Sequence, residues 1–431
     1  MSAAAILLDK IRSGHYDGAF ARLYGEEQVA DQRARYAEAV EGFTATYGET
    51  EDTLYLFSAP GRTEIGGNHT DHNHGRVLAG SVNLDVIAVV RPTADTIRVK
   101  SKGYDMDTVE LSSLQPVVEE QNHSASLIRG TAARFDGLGY GIGGFDAYTT
   151  SNVLKGSGLS SSAAFEVLVG VILNHLYNGG KVSAVEIAQI AQYAENAYFG
   201  KPCGLMDQMA SSVGNIITID FEDTDNPIIE PLDFDFASTG YALCIVDVGG
   251  NHADLTDEYA AVPGEMKAVA ASLGVSFLRQ TNMAALLQNM AALRAEHGDR
   301  AVLRAYHFLQ ENERVVQQVA ALRAGDFESF KRLIIASGNS SFEYLQNVYA
   351  ACDVEEQSMS LALALAQMVL DGCGAWRVHG GGFGGTTQNF VPLDKLDVFK
   401  STIEQVFGEG SCHVLNIRPC GGVSIDALAA E

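Results

Sequence analysis

The sequence predicts an α+β fold of two lobes, with a soft boundary near residue 240. Three observations carry that prediction. The first half mixes short apolar strand patterns with helical segments. Helical periodicity then dominates from about residue 257 to 370. A strand–loop–strand pattern follows at residues 375–391 and predicts an antiparallel sheet there. The lobes are accordingly placed at residues 1–240 (mixed α/β) and 241–431 (helix-rich).

Taken in order, the first 50 or so residues read as charged helix. Residues 54–58 (LYLFS) are a buried-strand pattern, and a loop rich in Gly, His and Asn is predicted over 59–75. Residues 77–91 are strand-like, and 96–100 alternate as a second strand would. A Gly/Ser loop at 156–162 runs straight into an apolar helical segment at 163–177. Ser183 and Glu186 have capping-box spacing for a helix reaching about residue 198. Gly274, Gly298, Gly325 and Gly338 are predicted to break the long helical stretch. The sequence contains no internal repeat and no low-complexity segment.

Composition narrows the function classes. The 431 residues are 46% hydrophobic with a mean hydropathy of +0.02, ordinary for a globular chain with a sizeable core. A net charge of −25 and a pI near 4.7 disfavour nucleic acid and anionic membrane as partners. A nucleotide ligand is still compatible, because local donors and a metal can hold phosphates against a negative global field. Cys203, Cys244, Cys352, Cys373, Cys412 and Cys420 are scattered and form no CxxC pair, which argues against a disulfide framework or structural zinc. The apolar run at residues 3–8 is closed by Asp9 and is too short for a signal peptide. No stretch approaches the roughly 18 apolar residues of a spanning helix. The expected location is cytoplasmic, with no obligate protein partner inferred.

Four motifs carry chemistry. In KGSGLSSSAA, a Gly/Ser turn leads into a helix N-terminus, where unpaired N–H groups and the helix dipole favour phosphate. Its serines can cap the helix, bond phosphate or offer a hydroxyl to Mg²⁺. The plain alternative is a capped helix, and the absence of GxxxxGK[ST] excludes a Walker loop. In AENAYFGKPCGLMDQM, Glu195 and Asp207 flank a turn. One could hold Mg²⁺ while the other takes a proton from a hydroxyl, the alternative being a solvated helix-end Glu and a cap-like Asp. In APGRTEIGGNHTDHNHG, Arg62 is a cation suited to developing phosphoryl charge, or a surface ion pair. Asn68, His69, Asp71, His72 and His74 suit either a hydroxyl-rich ligand or a zinc site. Finally, HGGGFGG matches GxGxxG by letter, but a strand rather than a helix is predicted after it. That rejects a dinucleotide site and leaves a close backbone approach to a ligand or another loop.

These four motifs, in this order from about residue 59 to 391, resemble the GHMP kinase family and the galactokinases within it. The resemblance implies a two-lobed GHMP kinase fold and Mg²⁺-requiring transfer from ATP to a sugar, galactose at its anomeric hydroxyl, with sugar and ATP as the small-molecule partners. It implies that Gly156, Ser157, Gly158, Leu159, Ser160, Ser161 and Ser162 cradle ATP, with Ser101 as a further nucleotide contact. It implies that Ser162 and Glu195 ligate Mg²⁺, that Asp207 is the base, and that Arg62 stabilises the transition state and holds Asp207 ionised. Asn68, His69, Thr70, Asp71 and Tyr259 are implied sugar contacts.

The sequence departs from the galactokinase signature in four places. Asn68 stands where Glu is usual and Glu64 where Asn is usual. His72 replaces a Tyr, and Ala260, Ala261 and Val262 replace the basic residues that often follow the tyrosine. Exchanging a carboxylate for an amide changes charge and acceptor count at one sugar hydroxyl. Other sugars therefore stay open, namely arabinose, a uronic acid or an N-acetylated hexosamine. A non-catalytic sensor on the same fold is a different class, disfavoured because SSSAA and Asp207 are intact.

Overall fold

The computed structural model describes residues 2–153, 158–200, 203–249 and 255–431. Helices α1 (Ala3–Arg12), α2 (Asp17–Tyr24) and α3 (Val29–Tyr47) precede strands β1 (Tyr55–Gly66), β2 (Arg76–Pro92), β3 (Thr96–Ser101) and β4 (Met106–Glu110). Then come α4 (Ser124–Gly137), β5 (Phe145–Ser151), α5 (Ser161–Asn178), α6 (Ala184–Ala194), α7 (Met206–Val213), β6 (Ile216–Asp220) and β7 (Ile228–Leu232). The second half holds β8 (Tyr241–Asp247), α8 (Thr256–Ser272), α9 (Met283–His297), α10 (Asp299–Arg323), α11 (Phe327–Ser340) and α12 (Ser358–Leu370). It ends with β9 (Ala375–His379), β10 (Thr386–Pro392), α13 (Leu396–Phe407), β11 (Cys412–Leu415), β12 (Val423–Ser424) and α14 (Ile425–Ala429).

Two sheets organise these elements. The larger runs β12-β1-β2-β5-β3-β4, with β6 paired to the first residues of β2 and β7 to β6. Only the β3–β5 pair among the described strands is parallel. The smaller sheet is antiparallel, in the order β11-β8-β10-β9. Strand β2 is a near-continuous apolar run because it is covered on both faces. The chain's last residues return to the first sheet. Ser424 pairs with Phe57, and Asp426 accepts from Tyr16 Oη at 2.7 Å and from the Leu56 N–H at 2.9 Å.

Local signals mostly act as read. Ser183 and Glu186 form the capping box of α6, and β9 and β10 flank the glycine turn. Two expectations are corrected. Residues 59–66 are strand rather than loop, because β1 pairs with β2 through Gly66↔Leu78 and the ladder satisfies their backbone groups. Gly338 lies inside α11 and does not break it. An added Cβ there would sit 3.0 Å from the Arg377 Cβ and the Trp376 carbonyl, so this glycine permits close packing of helix on strand. Among the described residues no helix is long and apolar enough to cross a membrane.

Candidate active site

The site forms where β1 of the large sheet meets the glycine turn of the small one. Strand β1 shifts register between Pro60 and Arg62 and again between Glu64 and Gly66. Such bulges re-aim side chains. Here the flanked residues Arg62 and Glu64 both line a polar cavity of about 230 Å³. The remaining wall includes His69, Asp71, His72, Gly204, Met206, Asp207, Gly380 and Gly381. An added Cβ at Gly204 would fall 2.4 Å from Asp71 Oδ2, so a larger residue there would displace that carboxylate. Burial pushes the Asp71 carboxyl above its ordinary pKa, against the pull of His69.

Asp207 sits in the first turn of α7. Arg62 Nε donates to its Oδ1 at 2.8 Å, and Ser160 Oγ donates to its Oδ2. Arg62 also reaches back to the Gly/Ser loop, its guanidinium to the Gly158 carbonyl and its N–H to the Leu159 carbonyl at 3.0 Å. Ser160, the N-cap of α5, has φ +56° and makes no side-chain cap bond. Its hydroxyl is committed to Asp207, so it leaves the first N–H groups of α5 uncapped by a side chain, the arrangement that favours an anion.

A hydrogen-bond chain fixes the histidines. Asn73 Oδ1 accepts from the Leu278 N–H at 3.4 Å, so its Nδ2 donates to His72 Nδ1 at 3.0 Å. His72 therefore carries its proton on Nε2 and donates to His69 Nδ1 at 3.3 Å. His69 in turn donates from Nε2 to the Gly381 carbonyl at 2.9 Å. Burial holds the His72 pKa well below the ordinary value, with His69 and Lys267 pushing the same way. The glycine turn is thus pinned to the 67–74 loop. A Cβ at Gly382 would lie 2.0 Å from the Asn347 carbonyl.

Helix α10 clamps the same loop from behind. Glu311 Oε1 accepts from the Gly67 N–H at 3.1 Å, and His307 Nε2 donates to the Asn68 carbonyl at 3.0 Å. Burial lowers the His307 pKa to about 4 despite neighbouring Glu311. Glu311 is pushed up by burial but pulled further down, by Arg314 first, to about 2. Both shifts make unfolded chains bind more protons in acid. Stability should therefore fall as pH drops from about 6.5 to about 4 through His307, and again from about 4.5 to about 2 through Glu311. The His307 part amounts to about 3 kcal/mol. His307→Gln can keep both hydrogen bonds, so urea midpoints at pH 7 and pH 4.5 should lie closer together in that variant than in wild type. An unchanged gap would remove His307 from the acid response.

Beside the cavity, a cleft of about 790 Å³ is lined by Ser101, Ser161 and Ser162, with Arg35, Lys102, Tyr104 and Phe165. Behind it, Glu195 and Glu166 are buried, and Gln208 Nε2 donates to both, at 2.7 Å and 3.2 Å. Glu166 lies one helical turn after Ser162 on α5. Together these are hard oxygen donors of the kind Mg²⁺ takes.

The residues singled out in the sequence divide as follows. Arg62, His69, Asp71 and Asp207 converge on the cavity, and Ser101, Ser161 and Ser162 on the cleft. Gly156 and Ser157 lie outside the described residues. Leu159 buries its side chain in the core. Asn68 and Thr70 do not line the cavity. Both are fully buried, and Thr70 Oγ1 lies 2.8 Å from the Gly67 carbonyl and 2.6 Å from the Arg76 carbonyl, which share its one proton. Tyr259 is one step removed, donating to the Gly382 carbonyl at 2.8 Å, with burial raising its pKa to about 12. Glu166, Gln208 and the cleft-lining Arg35 were missed. Only Glu166 had a local signal, its i+4 spacing from Ser162.

Comparison with known proteins accords with this geometry. Residues 126–215 match the GHMP kinases N terminal domain, and residues 41–92 match the galactokinase galactose-binding signature. The fold is shared with a crystal structure of Lactococcus lactis galactokinase complexed with galactose, at TM-score 0.77 and 24% identity over 90% of this chain and 99% of that one. A mevalonate kinase aligns at TM-score 0.59 and 14% identity, over 84% of this chain and 98% of its own. Fold and phosphate-loop domain together define a kinase of the GHMP class. A galactokinase of Streptomyces coelicolor is 32% identical over 86% of this chain and 94% of its own length. One from Actinobacillus pleuropneumoniae serotype 3 is 32% identical over 85% and 92%. The chain belongs to the galactokinase family of sugar kinases.

Proposed function

We propose that the protein transfers the γ-phosphoryl group of ATP to the anomeric hydroxyl of D-galactose, giving galactose 1-phosphate and ADP. The observation that carries this reading is the Arg62–Asp207 ion pair, which stands at the shared edge of the polar cavity and the uncapped α5 N-terminus. Asp207 takes the proton of the hydroxyl as its oxygen attacks. Arg62 pairs with Asp207 and stabilises charge developing on the transferred group. The first turn of α5, with Ser161 and Ser162, cradles phosphate, and Ser101 lines the nucleotide cleft.

Mg²⁺ fits the donors present. Ser162 and Glu195 would hold it, and it would supply charge neutralisation between the phosphates. His69 and Asp71 face the sugar, while Asn68 and Thr70 shape the loop that presents them, and Tyr259 supports the cavity through Gly382. The same reading places the lobe boundary near residue 240 and the protein in the cytoplasm, where six free thiols are at home.

The test is ADP release with MgATP across D-galactose, glucose, arabinose, galacturonate and N-acetylgalactosamine, with EDTA as the metal control. Galactose should give the highest kcat/KM, and EDTA should abolish turnover. A rival sugar ahead by about tenfold, about 1.4 kcal/mol, would replace galactose as the substrate.

A further inference from the structure

We infer that Glu64 is the carboxylate that reads one hydroxyl of the sugar, and that Asn68 is the residue that positions it. The inference rests on the sugar-kinase reading above and deepens it. Glu64 is 4% exposed, yet its side chain lines the cavity beside Arg62, His69, Asp71 and Asp207. Its Oε1 is committed, accepting from Arg377 at 2.6 Å and from Asn68 Nδ2 at 3.0 Å. Its Oε2 accepts no hydrogen bond from any described residue. A buried carboxylate with one oxygen saturated and the other turned to a polar cavity is an acceptor waiting for a donor, and a hydroxyl is the donor a neutral sugar brings.

The support behind Glu64 is rigid. Arg377 is fully buried and spends its other donors on the Ile65 carbonyl at 2.5 Å and the Val378 carbonyl at 2.9 Å. The Glu64 N–H donates to His379 Nε2 at 3.2 Å, and its carbonyl accepts from Gln388 at 2.9 Å. Backbone and carboxylate are therefore both held, which is what selection at a single hydroxyl demands.

Asn68 has nothing left to offer a ligand. Its Nδ2 donates to Glu64 Oε1 and to the Gly380 carbonyl at 2.7 Å. Its Oδ1 accepts from Ser341 Oγ at 3.1 Å and Asn347 Nδ2 at 2.9 Å. An amide with two donors and two lone pairs is then fully used. The two departures from the galactokinase signature, Glu at 64 and Asn at 68, are thereby one event. Amide and carboxylate have changed places across a single hydrogen bond, and the carboxylate reaches the cavity from β1 instead of from the loop.

The test measures kcat/KM for galactose and for its 2-, 3-, 4- and 6-deoxy analogues, in wild type and Glu64→Gln. Wild type should reject one analogue by on the order of 10- to 150-fold, the range of a charged hydrogen bond. In Glu64→Gln that one rejection should collapse by about tenfold or more while the other three stay, a site-specific change that general loosening does not produce. Rejections that all persist in Glu64→Gln would overturn the inference. Because Glu64→Gln weakens the partner of buried Arg377, the exchange Glu64→Asn with Asn68→Glu provides a second reading. Each single change should lose most activity, and the double should recover activity above both. A double no better than the poorer single overturns the pairing of roles. Wild type that turns over no sugar would defeat the kinase reading itself, a result distinct from either of these.

Discussion

Asp207→Asn should lower kcat by about 10²–10⁴-fold, the usual cost of removing a general base. The substitution keeps the shape of the side chain at the first turn of α7, and Ser160 can still donate to the amide oxygen. It removes the proton acceptor and the counter-charge of Arg62, whose Nε lies 2.8 Å from Asp207 Oδ1. Galactose binding should change far less than turnover, because His69 and Asp71, which line the same cavity, keep their side chains. Calorimetric titration of galactose alongside single-turnover ADP release separates the two effects. A variant that turns over at near-wild-type rate would remove Asp207 from the role of base.

The second large effect is on stability. Asp85 is fully buried and binds two guanidinium groups, Arg35 at 2.6 Å and fully buried Arg418 at 3.1 Å. Ser58 and Tyr24 Oη also donate to it, the latter at 2.5 Å. Burial pushes its pKa up, and Arg35 and Arg418 more than offset that, leaving it below the ordinary carboxylate value. Its stabilising contribution is therefore present above the unfolded pKa and lost as pH falls. Asp85→Ala leaves both arginines without a counter-charge and should cost about 3–5 kcal/mol. The measurement is the urea midpoint with its slope unchanged. A loss below about 1 kcal/mol, the level of an exposed pair, would mean that water enters and solvates the cations. The network also bears on function, because Arg35 lines the cleft proposed for the nucleotide and α2 and α3 contribute Tyr24 and Tyr36 to the same cluster.

What the sequence determined by itself is whatever is written within one turn of chain. The helix after the Gly/Ser loop, the capping box of α6 and the strands on either side of HGGGFGG rest on local spacing, caps and periodicity, so one linear reading recovers them. The four motifs in order also carry the resemblance to the family. Only the tertiary structure decided which way the side chains of those motifs face. A strand rich in Gly and Pro looks like a loop until β2 satisfies its backbone, as at residues 59–66. A helix glycine looks like a break until Arg377 and Trp376 are packed against it, as at Gly338. Asn68 looks like a sugar ligand until Gly380, Ser341 and Asn347, each more than 270 residues away, consume its donors and lone pairs. Hydrogen-bond capacity is finite, and the partners that exhaust it arrive from distant parts of the chain. Composition can therefore supply the residues of a site, but only long-range packing settles which of them remain open to a ligand.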